Sequence, residues 1–483
     1  MPADASLAPL APPVSEDVAS PAVTLKPALG VGGVFVAAIS YVIGTTTLVS
    51  DLAGWFSLGI WFALPLAAAL ALNVALALSV TELSSVFPRA GAIYSFTAAV
   101  LLPAAAAKAL ALFVALVLLG MIALGGVGEI YAGALSLKDL LGTPWDVRWS
   151  VAVLMATALL PNLLGIVRTA QASLVALVLL LGVRWLFGLI GFAGGSPSGS
   201  WSWSNVSGSL ALADAGGPAL RHGIGLAFWT FAGVEFVTPL AEETRAVPRA
   251  FPRGMLLALA LIGLTSVVMG LGVSGTLSAQ ERLALAASPT ACAGNCIHLA
   301  VGELMLGGWG RKLMALGAVA STYGTLVIGI AAVARIAYGV AREAQLSERW
   351  SKPLRRLSGK APTPRTALLF ATLLCTAPAM FTESVLDWIL PAALLWLLLH
   401  AFYHLLVLID RQRAPDRKRP FQAPLALPMA GLVGTLVAAA HVLPDADRLS
   451  LLARAACVLL GAALLGVLLS SGARRASWSL PRS

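Results

Sequence analysis

Charge is what this sequence has least of. Asp, Glu, Lys and Arg make up 11% of its 483 residues, while 59% are hydrophobic; an ordinary soluble domain is about 25% charged. Most of such a chain cannot face water. Enzyme signatures are missing too. There is no Walker A loop, no H-E-x-x-H and no G-x-S-x-G, so ATP-driven pumping and the commoner membrane hydrolases lose support and no enzymatic activity is expected. The one G-x-G-x-x-G, from Gly270 to Gly275, lies in a long apolar run without a βαβ context and reads as close helix packing. The first 25 residues lack the basic start and apolar run of a secretory signal. Of only four cysteines, Cys375 and Cys457 sit in apolar runs as small hydrophobes, and Cys292 and Cys296 flank a polar connection where a local disulfide is left open. Neither a metal site nor a cofactor is expected.

What the chain does have is long apolar runs. A spanning helix needs about 20 mainly apolar residues. Cutting at charged, Pro-rich or Gly/Ser-rich interruptions gives twelve segments, among them 30–50, 104–134, 172–194, 218–241, 309–341 and 385–409. The expected organisation is a flexible N-terminal tail (1–29), five helices (30–194), five more (218–409), two additional helices (424–471) and a C-terminal tail (472–483). With both termini cytoplasmic, 22 of the 32 basic residues fall inside and 8 outside, and Arg184 and Arg335 lie within spans. That asymmetry is the positive-inside pattern of a multi-pass protein of the plasma (inner) membrane. The net charge of +10 is then explained by lipid headgroups, and no nucleic-acid partner is needed.

Two spans are interrupted near their middles. In the first, Gly44 is followed by Thr45, Thr46 and Thr47, whose hydroxyls compete for backbone hydrogen bonds. In the sixth, Ala232 and Gly233 lie at mid-depth with Glu235 two residues on. The breaks occupy equivalent places in the two groups of five, and paired broken helices point to a transporter site. Unwinding exposes peptide groups. The N–H groups of Thr45 to Thr47 suit a substrate carboxylate, and carbonyls near Ile43 and Phe231 suit an ammonium, so an amino acid or related amine is the expected cargo.

Four stretches then carry a resemblance to a known family: TELSSVFPRAGAIYSF (81–96), FAGVEFVTPLAEETRAVPRAFPR (231–253), ARIAYGVAREAQLSERW (334–350) and RKRPFQAPLALP (417–428). They resemble the amino acid-polyamine-organocation permeases. The resemblance implies an all-α membrane protein with a LeuT-type 5+5 inverted repeat, twelve transmembrane helices with spans 1 and 6 broken, and secondary transport by symport or exchange. It puts Ile43, Gly44, Thr45 and Thr46 on the family's span 1 unwinding, Phe231 to Glu235 on its span 6 unwinding, and Trp229 and Phe231 at aromatic wall and lid positions, with plain packing left open for Trp229. Thr46 departs from the family by replacing a second glycine.

Arg184 lies at mid-depth of span 5, near where many sodium-independent relatives are similar in carrying a lysine. A charge there must be paired. It reads as a fixed cation standing in for sodium and tying spans 1, 5 and 8, or as a structural arginine; Ser321, Thr322 and Thr325 are its candidate partners. Glu235 reads as a proton-linked gate or as a brace for the unwound segment. Glu129, placed toward the outer end of span 3, reads as a vestibule or surface charge with some capacity to steer cations. His400 and His404 read as packing or hydrogen-bonding residues. An alternative function is a transport-deficient amino-acid sensor, and a homodimer is left open.

Overall fold

The computed structural model describes residues 24–101, 104–194, 200–207, 218–287, 296–344, 346–359, 361–382, 386–442 and 448–477. Cys292, and with it the disulfide question, lies outside the described residues, as do most of the N-terminal tail and the last six residues. The described chain is helical, and its β-bridges are isolated ones, Leu29 with Thr244 and Ser358 with Thr363.

In chain order the helices are α1 (Val31–Val42), α2 (Thr45–Leu58), α3 (Ala63–Val86), α4 (Ile93–Val100), α5 (Ala104–Leu141), α6 (Val147–Leu163), α7 (Ile166–Phe192) and α8 (Trp203–Ser207). There follow α9 (Pro218–Trp229), a 3₁₀ run Val234–Glu243, α10 (Val247–Thr276), α11 (Ala279–Ala287), α12 (Ile297–Glu343), α13 (Glu348–Leu354), α14 (Arg365–Ala379), α15 (Leu386–Arg413), α16 (Ala426–His441) and α17 (Arg448–Ser477). Among the described residues, eight helical stretches are long and apolar enough to cross a membrane, and four shorter apolar helices accompany them. One of the eight, Thr45–Val86, has 42 residues. At 1.5 Å per residue that far exceeds a bilayer core of about 30 Å, and a 3₁₀ turn at Gly59–Phe62 divides it.

The expected twelve segments all fall largely on helix, but several bounds shift. Span 3, expected at 104–134, continues as α5 to Leu141. Span 8, expected from 309, belongs to α12, which begins at Ile297 and kinks at Leu306 and Gly307. Residues 24–29, assigned to the flexible tail, are anchored at two points, with Thr24, Lys26 and Pro27 exposed. Leu25 and Leu29 are buried, and the amides of Ala28 and Leu29 both donate to the Glu243 carbonyl.

The interior is apolar, yet the four family-like stretches meet in a charged cluster at one end of the bundle. Arg335 makes a paired contact with Glu243, 2.6 and 3.1 Å, both side chains being buried. Glu242 accepts from Arg342 and from the Ala90 amide. Glu82 accepts from Arg411 and from the Ala423 amide at 2.9 Å. These bonds join α3, the 3₁₀ run, α12 and α15, elements far apart in sequence. Gly339 supports the junction by lying directly on the Gly91 backbone.

Removing one member of a buried pair leaves an uncompensated charge and costs about 3–5 kcal/mol, whereas an exposed pair contributes about 0–1. Glu243→Ala is therefore expected to lower the thermal unfolding temperature of the detergent-purified protein by many degrees. Glu348→Ala, which breaks the exposed pair with Arg355, is expected to leave it almost unchanged.

Candidate functional site

The first break is local and sharp. α1 ends at Val42, Ile43 has left the helical region (φ −84°, ψ 52°), Gly44 is extended, and α2 starts at Thr45. Any residue can adopt the Gly44 backbone, so space explains the glycine. A β-carbon there would collide with the carboxyl group of Glu129.

That carboxyl group closes the break. Glu129 comes from the interior of α5 and is 4% exposed. Its Oε1 accepts from the Thr45 amide at 2.8 Å, and its Oε2 from the Thr46 amide at 2.9 Å and the Thr46 hydroxyl at 2.7 Å. The Thr322 hydroxyl of α12 has one proton to share between Glu129 Oε1 at 2.5 Å and Thr45 Oγ1 at 2.8 Å. An acid at a helix N-terminus is favoured by the orphan N–H groups and the helix dipole.

The carbonyl side of the same break is held from two other helices. Arg184, 2% exposed on α7, donates through one nitrogen to the Gly44 carbonyl at 2.6 Å, to Ser321 Oγ at 3.1 Å and, more distantly, to the Ile43 carbonyl. Ser321 on α12 donates to the Ile43 carbonyl in a short bond, and Thr45 Oγ1 donates to the Ala318 carbonyl at 2.6 Å. Thr47 returns its hydroxyl proton to the Val42 carbonyl at 2.6 Å. Every group freed here that these bonds engage is answered inside the protein, as a membrane interior demands.

The second break is wider. α9 stops at Trp229, the turn 230–233 ends at Gly233 with φ +109°, a conformation open to glycine but strained for other residues, and the 3₁₀ run follows. Two bonds tie it to α2: Trp229 Nε1 donates to Thr46 Oγ1 at 3.0 Å, and Thr230 Oγ1 donates to Asp51 at 2.6 Å. Glu235, 3% exposed, accepts a short bond from Trp396 Nε1 on α15. His400 Nε2 lies 3.2 Å from the same oxygen but off the hydrogen-bond axis, and Glu235 Oε2 has no protein partner among the described residues.

Between the breaks lies a cavity of about 40 Å³, room for a few waters. Tyr41, Gly44, Thr46, Thr47, Glu129, Trp229, Ala232, Thr325 and Trp396 are among its walls. Trp229 and Trp396 meet edge to face at 5.7 Å, and Tyr41 stacks on Phe236 at 4.0 Å.

Several expectations are met and several corrected. Both breaks fall at the predicted residues. Ser321 contacts Arg184 as expected, but Thr322 is committed to Glu129 and Thr45, and Thr325 donates to the Ser40 carbonyl at 3.0 Å instead. The amides of Thr45 and Thr46, expected to await a substrate carboxylate, are taken by Glu129. The Ile43 carbonyl, expected to receive an ammonium, is taken by Ser321. Phe231 is fully buried with its ring near Gly263 and Leu70, away from the cavity walls. Glu129 itself is no surface charge. α5 runs seven residues past its expected end, which moves Glu129 into the helix interior. His400 packs against Phe228, yet its place beside Glu235 goes beyond packing. Asp51, one residue past the expected end of span 1, was not singled out by the sequence; a carboxylate continuing an apolar helical run was the available signal.

No curated protein matches this chain. A family model described as "Amino acid permease" does match, over residues 29–462, which takes in nearly the whole chain and both breaks. The protein belongs to the amino acid permease family.

Proposed function

We propose that the protein is a secondary transporter that moves an amino acid or a related amine across the plasma (inner) membrane by alternating access. In this reading twelve spans form two inverted five-helix repeats, 30–194 and 218–409, with two further helices and both termini cytoplasmic. The observation that carries it is the pairing of the two breaks around one partly polar cavity, since irregular backbone at membrane depth is tolerated where it is buried in protein or lines such a cavity. The family membership agrees with it.

Arg184 takes the part of a bound cation. Its guanidinium sits among the Gly44 and Ile43 carbonyls and Ser321 Oγ, an oxygen set that would otherwise suit a hard monovalent ion, and arginine stays charged at every working pH. Transport is then independent of sodium. Glu235 is the group with capacity to carry a proton: buried, without a partner at one oxygen among the described residues, and faced by Trp396 and His400. The charged cluster around Glu82, Glu242 and Glu243 closes the cytoplasmic end and must loosen for cargo to leave on that side.

In proteoliposomes, uptake is expected to proceed without ATP and to be unchanged when Na⁺ is replaced by K⁺. Arg184→Met is expected to reduce initial uptake more than tenfold, with Arg184→Lys retaining a measurable fraction. A strict sodium requirement in the wild type contradicts the assignment. Glu235→Gln is expected to flatten the pH dependence of uptake seen in the wild type; identical pH profiles remove Glu235 from coupling.

A further inference from the structure

We propose that Glu129 permanently occupies the carboxylate subsite of span 1, and that the cargo is an organic ammonium ion bringing no carboxylate of its own, such as a decarboxylated amino acid. The inference rests on the transport reading above and narrows its substrate class.

The geometry of the break argues first. Of the three peptide N–H groups at the head of α2 that would receive a free carboxylate, those of Thr45 to Thr47, the first two already donate to Glu129. The remaining contacts of that carboxyl group, Thr46 Oγ1 at 2.7 Å and Thr322 Oγ1 at 2.5 Å, fill its other acceptor positions. Gly44 leaves out the one atom that would exclude it. A zwitterion arriving here meets an acid where it needs donors, and displacing Glu129 would set two carboxylates side by side while stranding one of them without partners.

Charge and shape of the cavity argue second, independently. Glu129, Asp51 and Glu235 are buried around the two breaks, and Arg184 is the cation set among them, itself committed to the Gly44 carbonyl and Ser321. Much of the rest of the lining is aromatic, with Tyr41, Trp229 and Trp396 among the cavity walls. Faces of tryptophan and tyrosine attract ammonium groups, most strongly where water is excluded. A space of about 40 Å³ takes an ammonium head, and the remainder of the cargo is admitted as the aromatic walls part.

The test uses the full-length protein in proteoliposomes and four matched pairs: phenylalanine and phenethylamine, tyrosine and tyramine, ornithine and putrescine, lysine and cadaverine. Uptake and thermal stabilisation are both read, because a ligand bound to the folded state raises its apparent stability. In at least one pair the wild type is expected to prefer the amine by tenfold or more in kcat/KM. Glu129→Ala, which vacates the subsite, is expected to move that ratio toward the parent amino acid by at least tenfold, and Glu129→Ser, which also vacates it, supplies the same comparison if the alanine variant does not fold. Wild-type preference for the amino acid in every active pair overturns the proposal and leaves transport standing, as does an unchanged ratio in folded variants. If none of the eight compounds binds or enters, both this inference and the transport reading fall.

Discussion

Everything in the middle of this molecule answers one requirement: a peptide group at membrane depth must have a partner. Where α1 ends and α2 begins, donors are bared on one side and acceptors on the other, and an unmet group of either kind costs about 1–3 kcal/mol. The donors are met by Glu129 from α5, the acceptors by Arg184 from α7 and Ser321 from α12. Three helices distant in sequence are thereby fastened to one break. Opposite charges sit on the two sides of it, each matched to the polarity of the peptide groups it meets, negative on N–H and positive on C=O. A break that destabilised the helix when isolated becomes the point through which the bundle is held together.

The two interruptions are not equivalent. The span 1 break is fixed by charged groups from neighbouring helices. The span 6 break has a left-handed glycine, a 3₁₀ continuation and hydrogen bonds that mostly reach back to α2, through Trp229 to Thr46 and Thr230 to Asp51. Its one ionisable group, Glu235, faces Trp396 and His400 with an oxygen to spare. The first break therefore has the character of a fixed reference and the second of an element with fewer restraints. Away from the breaks, the buried Arg335–Glu243 pair joins α12 to the 3₁₀ run and the Glu82–Arg411 pair joins α3 to α15. In the proposed cycle, motion at the second break is what these distant ion pairs resist and release.

Much of this was legible in the sequence, for definable reasons. Apolar runs and their charged interruptions locate the helices because lipid penalises any other arrangement, and both breaks were readable at Gly44 and Gly233 because glycine beside hydroxyl residues or an acid is conspicuous in such a run. The four family-like stretches converge at the charged cluster, since Glu243 pairs with Arg335, Glu242 with Arg342 and the Ala90 amide, and Glu82 with the Ala423 amide. What could not be read was which group meets which. Glu129 was misplaced because Ser136, Lys138 and Asp139 look like the start of a loop, whereas α5 absorbs them: Ser136 bonds its own helix and His298, and Asp139 pairs with Arg311 on α12. With the helix end moved, the depth of the carboxylate moved too. The i, i+4 spacing of His400 and His404 does not tell which neighbour each meets: His400 packs on Phe228 beside Glu235, and His404 bonds to Ser79. Long-range pairing of polar groups is set by packing, and periodicity within a single helix does not encode it.

The central claim is that cargo sits between the two breaks with Glu129 still in place on Thr45 and Thr46. A density map of the protein saturated with a transported compound tests it most directly. The account predicts ligand density against Trp229, Trp396 and Tyr41, with the Glu129 side chain unmoved at the head of α2. Ligand found elsewhere in the bundle, or its own acid group on the Thr45 and Thr46 amides with Glu129 swung away, would contradict it.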